Sequence, residues 1–307
     1  MILKVGVSAG LMTYLLFRID AIRFIDTLSS VHLSILILSC GLLFVQQGVM
    51  VFSWGILLWS QEKGVPYHRI LYAHLVGNFF GSFLPSAVGI DVIRAYNLSK
   101  GLKRGIHAVS SLFLCRTVAF IILFLMAMAF VVPVARLTGN RDLFYLLFVI
   151  FLFFLLFLFT TYHPRTFQWL LSIFRRLHAE PLAVKLDQFR YSLLELSTRK
   201  AVLLRLAVLT VVFQVLGILV VYLLGISLEI SVDLAYYFIL IPVIMVVTLL
   251  PISLAGIGVR EASFVYLFSQ VGATEAQGFS LSLLMFFQSI LLALIGGAVY
   301  GMRNVTN

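Results

Sequence analysis

Charge is the scarcest commodity in these 307 residues. Only 11% are charged, against about 25% in soluble domains, while 62% are hydrophobic. That balance excludes a soluble domain and indicates a polytopic membrane protein. The net charge of +10 is spread between apolar runs and not along one face, which excludes a nucleic-acid interface. Cysteine is nearly absent: Cys40 and Cys115 both lie inside apolar runs, so a disulfide framework is excluded. The six histidines lack H-x-x-x-H or Cys/His ligand spacing, and there is no P-loop pattern. Neither a metal site nor ATP hydrolysis by that route is expected, and no cofactor is implied. No small-x-small cleavage site precedes Arg18, so Val5–Phe17 is read as part of a span and not as a signal peptide.

What is present is apolar sequence in membrane-sized lengths. A crossing helix needs about 20 residues. Six stretches are read as full spans: Ile2–Phe17, Leu33–Trp59, Ile106–Val132, Leu143–Thr161, Leu206–Gly225 and Phe279–Tyr300. Two more, Ile70–Ile90 and Leu234–Val259, are broken by Pro and Gly. Each is long enough to cross, or else forms a re-entrant hairpin with arms of about ten residues reaching the bilayer midplane at 1.5 Å per residue; the hairpin reading is taken here. The expected fold is therefore an all-α polytopic membrane protein, six spans plus two hairpins. The chain forms one transmembrane domain, residues 1–307, with repeats of about 1–135 and 140–303. Three crossings per half is odd, so the second half is inverted relative to the first. Most of the 22 basic residues then fall on the side of Lys4, Arg94, Lys100, Lys103, Arg104 and Arg303. By the positive-inside rule, both termini face the cytoplasm of an inner-membrane protein.

One polar insert, residues 163–200, interrupts the spans. Phe167, Leu170, Leu171, Phe174 and Leu177 share a helical face; Leu182, Leu186, Phe189 and Leu193 form a second after Glu180-Pro181. Two readings stand: a pair of amphipathic helices on the anionic leaflet, or a linker docked on the bundle.

The two broken segments look like copies. In each, a Pro follows an apolar run, small residues and Gly come next, and an Arg stands nine residues past the Pro: Pro85…Gly89…Asp91…Arg94, and Pro251…Ser253…Gly256-Ile257-Gly258-Val259-Arg260-Glu261. Broken backbone is costly in lipid unless it lines a site, and paired breaks point to a transporter's binding site. Guanidinium forks at Arg94 and Arg260, beside helix ends with free N–H groups, suit phosphate oxygens. Gly89, Gly256 and Gly258 permit close backbone approach. The plainer reading makes both arginines interfacial anchors, with Asp91 and Glu261 as local salt-bridge partners. Those carboxylates could also exchange protons in a low dielectric. Arg116, inside a span, either snorkels to the surface or faces a wet cavity. Gln46, Gln47, Asn78, Gln214, Ser253 and Gln288 either bond between helices or line a headgroup path. Gly6-Val7-Ser8-Ala9-Gly10 mimics a nucleophile motif but sits in an apolar helix; it reads as a packing face, as do Gly77/Gly81 and Gly297/Gly301.

Pro85…Gly89…Asp91…Arg94, Arg116, and Leu250-Pro251…Gly256-Ile257-Gly258-Val259-Arg260-Glu261 together resemble the lysylphosphatidylglycerol synthase/flippase transmembrane family, over about Ile2 to Met302. Ile90 and Cys115 depart from its pattern; Cys115 leaves Arg116 without an adjacent acidic partner. The resemblance implies movement of an anionic or aminoacylated phospholipid, or a lipid-linked glycan, between leaflets. The synthase activity of bifunctional members is not expected here, because the sequence ends at Asn307. The expectation is thus a lipid flippase and not an enzyme, with Arg94, Arg116 and Arg260 cupping a phosphate in one cavity between hairpin tips. Its partners would be membrane lipids, with a separate lipid synthase or a second copy of the chain as further candidates. A membrane transferase using Asp91 and Glu261 as acid and base, or an accessory subunit of a synthase, are the alternatives.

Overall fold

A computed structural model describes residues 2–18, 21–83, 87–100, 102–138, 142–176, 180–248, 253 and 256–305. All regular structure among them is helical: α1 (Ile2–Arg18), α2 (Ala21–Ser29), α3 (Leu33–Gln61), α4 (Tyr67–Ser82), α5 (Ala87–Ser99), α6 (Ile106–Thr138), α7 (Asp142–Tyr162), α8 (Pro164–Arg176), α9 (Glu180–Thr198), α10 (Lys200–Ser227), α11 (Leu234–Thr248), α12 (Val259–Ser269) and α13 (Glu275–Val305). Pro85 and Pro251, on which the motifs were built, lie outside the described residues.

Six full spans were expected. Among the described residues four helices are long and apolar enough to cross: Leu33–Gln61, Ile106–Phe130, Lys200–Ser227 and Glu275–Met302. A fifth arises if Phe148–Tyr162 of α7 is joined to α8, and the two meet at 78°. Helix α1 has 17 residues, about 26 Å at 1.5 Å per residue, which falls short of the roughly 30 Å hydrocarbon core.

Both broken segments fold back on themselves. In the first, Gly77 lies against the Arg94 side chain and Gly81 against Ile90, so α4 and α5 run antiparallel. In the second, Tyr237 packs edge-on to Phe268, while Thr248 approaches Gly256 near the turn. The arms have 16, 13, 15 and 11 residues. All exceed the expected ten, yet each is shorter than about 20 residues, so no arm crosses alone.

Helices α3 and α10 form the central antiparallel pair. The His32 N–H donates to Ser227 O at 2.9 Å, Ser39 Oγ to Val220 O at 3.1 Å, and Gln46 Nε2 to Phe213 O at 3.2 Å. Arg199 Nη1 donates to Ser60 O at the far end. As one residue number rises, its partner's falls by the same amount. Several of the other contacts come in matched pairs. Helix α3 touches α4 and α6, as α10 touches α11 and α13. Helix α5 packs on α6 as α12 does on α13, and α4 meets α13 as α11 meets α6.

The main apolar core joins α6, α10, α11 and α12 through Phe124, Leu224, Tyr237, Ile244, Phe264 and Phe268. The polar insert is docked on the bundle. Phe167 and Leu171 of α8 pack on Ala183 of α9, and Leu193 and Leu196 of α9 pack on Leu57, Leu114 and Leu206. Of the expected glycine pairs, Gly77/Gly81 does mediate close helix packing; of Gly297/Gly301 only Gly297 does, against Phe79, with Gly296 beside it against Leu75. Gly6, Gly10 and Gly301 face open space, so the α1 glycine face packs nothing here.

Candidate functional site

The sequence placed three arginines around one headgroup. The structure divides them into two clusters. In the first, Asp91 stands between two guanidiniums. Its Oδ1 accepts from Arg94 Nη1 at 3.0 Å and from Arg116 Nη2 at 3.0 Å, while Oδ2 accepts from Arg116 Nε at 2.6 Å. Arg94 Nη2 also donates to Asn78 Oδ1 at 2.6 Å. Two positive groups thus share one carboxylate, which leaves an excess positive charge. The Arg94 side chain is 4% exposed and its Nε has no partner among the described residues; the Arg116 side chain is 33% exposed. Arg116 therefore has its acidic partner after all, from α5 rather than from position 115. Helix geometry explains the grouping. Gly77 leaves room on α4 for the Arg94 stem, and Asn78 follows it directly. Arg94 is well inside α5 and does not close the hairpin. Gly89 likewise lies in the first turns of α5 and not at a break.

The second cluster is built on the N-terminus of α12. Gly256 and Gly258 have φ of +82° and +85°, a region that glycine enters without steric cost. The Glu261 carboxylate reaches back to the Gly258 N–H at 2.6 Å, capping the helix. Its other oxygen accepts from Arg260 Nε at 3.1 Å, Arg260 Nη2 at 2.6 Å and Ser282 Oγ at 3.1 Å. Arg260 also donates to Ser282 Oγ at 3.0 Å and stands over the Phe286 ring. This cluster is neutral: one guanidinium, one carboxylate. The partnership with Glu261 is the local salt bridge of the plainer reading. Ser253 is buried, and its hydroxyl has no partner among the described residues.

The two clusters sit at different depths. Phe79, next to Asn78, packs on Gly297 of α13, whereas Arg260 reaches Ser282. Fifteen residues of helix separate those positions, about 22 Å. The single arginine cradle at the hairpin tips is thereby corrected. No hydrogen bond or ion pair among the described residues links the clusters, and Asp91 and Glu261 do not form a pair.

Between them lies a cavity of about 240 Å³ lined by Gln46, Gln47, Gln214, Gln288 and Ser289, among apolar neighbours such as Met245. No arginine lines it among the described residues. Gln47 Oε1 bonds His74 Nε2 at 3.0 Å, and His74 is buried one turn from Asn78 on the same face of α4. The polar glutamines could be read from sequence; their convergence could not. The roles of Ser282, Phe286 and His74 were missed. For His74 a signal existed in its i, i+4 spacing to Asn78.

Residues 1–297 match the family model described as the lysylphosphatidylglycerol synthase TM region. The chain belongs to that family. It is an integral membrane protein whose function concerns membrane lipids. No curated protein and no solved structure matches it.

Proposed function

We propose that this chain is a lipid flippase, moving an anionic or aminoacylated phospholipid or a lipid-linked headgroup between leaflets. The observation that carries the reading is the sharing of Asp91 by Arg94 and Arg116 at a place where a helix would cross lipid. A charge inside a span is costly and is kept where it serves a path. Here one positive charge is left over, and a phosphate oxygen is its natural complement. Arg260, at another depth, provides a second station for the same headgroup.

The proposal includes the inverted repeat. Segments α3–α6 and α10–α13 correspond, with α4–α5 matching α11–α12. Their matched contacts and the antiparallel α3/α10 pair support this. A two-fold relating antiparallel helices lies perpendicular to them, hence in the membrane plane. Rocking of the halves about that axis would expose first one arginine station and then the other. Both termini and the α8–α9 insert face the cytoplasm of the inner membrane in this reading, on the side rich in basic residues. A separate synthase would supply the cargo.

The test is translocation of a fluorescent-headgroup anionic phospholipid in reconstituted vesicles. Arg116→Ala removes a charge-assisted contact of about 1.5–3 kcal/mol and is expected to slow translocation by about tenfold or more. Arg260→Ala slows it less, because Glu261 already neutralises that station. Full activity in both variants sinks the phosphate reading. A transferase using Asp91 and Glu261 as acid and base gains no support from the geometry, because each carboxylate is engaged in its own cluster.

A further inference from the structure

The glutamine-lined cavity has a polarity of its own. Phe213 O and Ala119 O can only accept, so the amide nitrogens of Gln46 and Gln214 must face them, at 3.2 and 3.5 Å. Ser39 Oγ gives its proton to Val220 O, so it accepts from Gln288 Nε2 at 2.9 Å. Three side-chain amides thus direct their donors into the helices. Their carbonyl oxygens accept from no protein donor among the described residues, and none is sealed away as a buried orphan. Gln46 and Gln288 are nonetheless buried residues. The fourth amide is turned the other way: Gln47 Oε1 meets His74 Nε2 at 3.0 Å, which leaves its amide nitrogen as a donor. The cavity therefore offers mostly acceptors and one donor, the complement of a hydroxyl group.

Charge narrows the choice. Among the described residues no Asp, Glu, Lys or Arg lines the cavity. A phosphate would meet mostly acceptors and no counter-charge. An ammonium would find acceptors but no carboxylate, with the surplus positive charge of the Asp91 cluster on one side. Hydroxyl groups donate without carrying charge. The volume is equivalent to about eight waters at roughly 30 Å³ each, headgroup-sized and too small for acyl chains. Gln46 and Gln47 are at mid-length in α3, as Gln214 is in α10, which places the cavity halfway through the bundle.

We infer that this cavity is a binding site for an uncharged, hydroxyl-rich group, the sugar or polyol portion of a lipid headgroup in transit. The inference rests on the flippase reading for the words "in transit" and stands on the cavity chemistry for the rest. Gln47, bonded to His74 on the Asn78 face of α4, joins this site to the first arginine cluster. The phosphate would stay with an arginine while the hydroxyls enter the cavity.

The experiment uses the full chain in nanodiscs and a glucosyl diacylglycerol bearing a diazirine on its sugar. Photolabelling should fall on the α13 stretch containing Met285 and Gln288. Unlabelled glucosyl diacylglycerol should compete; phosphatidic acid, with the phosphate alone, should not. Competition by free glucose at similar concentration would keep the hydroxyl chemistry and assign a soluble sugar as the source. Stronger competition by an aminoacylated phospholipid, or labelling confined to lipid-facing surfaces, overturns the proposal. Gln214→Leu should reduce labelling about tenfold, the loss of roughly one hydrogen bond without replacement. Met285→Trp, which fills the space and leaves the amides intact, should do the same. The competition series in the unaltered protein decides the matter even if a variant fails to fold. Cavity labelling without translocation keeps this site and removes transport; translocation without cavity labelling does the reverse.

Discussion

The two hairpins have the same Pro-to-Arg spacing and place the Arg in different surroundings. In the first, Arg94 is well inside α5, packed along Gly77 of α4 and tied to Asn78. In the second, Arg260 is the second residue of α12, at the end of a glycine turn. The neighbouring carboxylate differs too. Asp91 bridges two arginines from two helices, whereas Glu261 serves its own neighbour and its own helix end. Equal spacing in sequence thus yields one cluster with surplus charge and one without. The lesson is that a helix begun earlier relative to its Pro rotates and sinks the same Arg into a new environment.

The largest test of this contrast is removal of each carboxylate's charge. Asp91→Asn leaves Arg94, at 4% exposure, buried and unpaired, and breaking such a pair costs about 3–5 kcal/mol. Glu261→Gln should cost less, about 2 kcal/mol, because the amide oxygen still accepts from the Gly258 N–H and Arg260 keeps Ser282 and Phe286. Thermal unfolding in detergent measures both, and equal losses would erase the distinction between shared and private carboxylates.

The glycines sharpen the comparison at smaller cost. Gly258→Ala needs a positive φ and puts its new carbon 2.9 Å from Leu11 Cβ, so a loss of about 1–3 kcal/mol is expected. Gly77→Ala meets the Arg94 side chain and should cost about the same, through overpacking and not through backbone strain. The two are separable: only Gly77→Ala should loosen the Arg94–Asn78 bond and so change translocation beyond its effect on stability. Gly89→Ala, inside α5, should be neutral or stabilising by up to about 1 kcal/mol. A large loss there would show that the first motif turns where the second does. The smallest effect belongs to Gly10→Ala, within about 0.5 kcal/mol, because nothing lies within 4 Å of the added carbon.

Much of the fold was legible. The long spans around Leu33–Trp59 and Ile106–Val132 have their counterparts in α3 and α6 because apolar length is itself the signal for crossing. The two hairpins were marked by Pro and Gly, whose backbone effects are local. Glycine's role at Gly256 and Gly258 was likewise a local inference. Helix α2 was missed: it is short, and it is held partly by Phe24 stacking edge-on to Phe279. The first expected span corresponds to α1, which at 17 residues is at the short end of the crossing range. The shared Asp91 was not legible, because Arg116 is 25 residues away and reaches it only once α6 packs on α5. The same holds for Gln288, which meets Ser39 across 249 positions of sequence.

Composition and run length alone determined that this chain lives in a bilayer, that its helices break twice, and that its backbone turns at particular glycines. Those are consequences of local sterics and of the solvent a segment can tolerate. Which arginine shares a carboxylate, how far apart the two clusters stand, and that four scattered glutamines face one cavity were decided only by packing. A side chain's partners depend on the rotation and depth of helices distant in sequence, and no local rule carries that information.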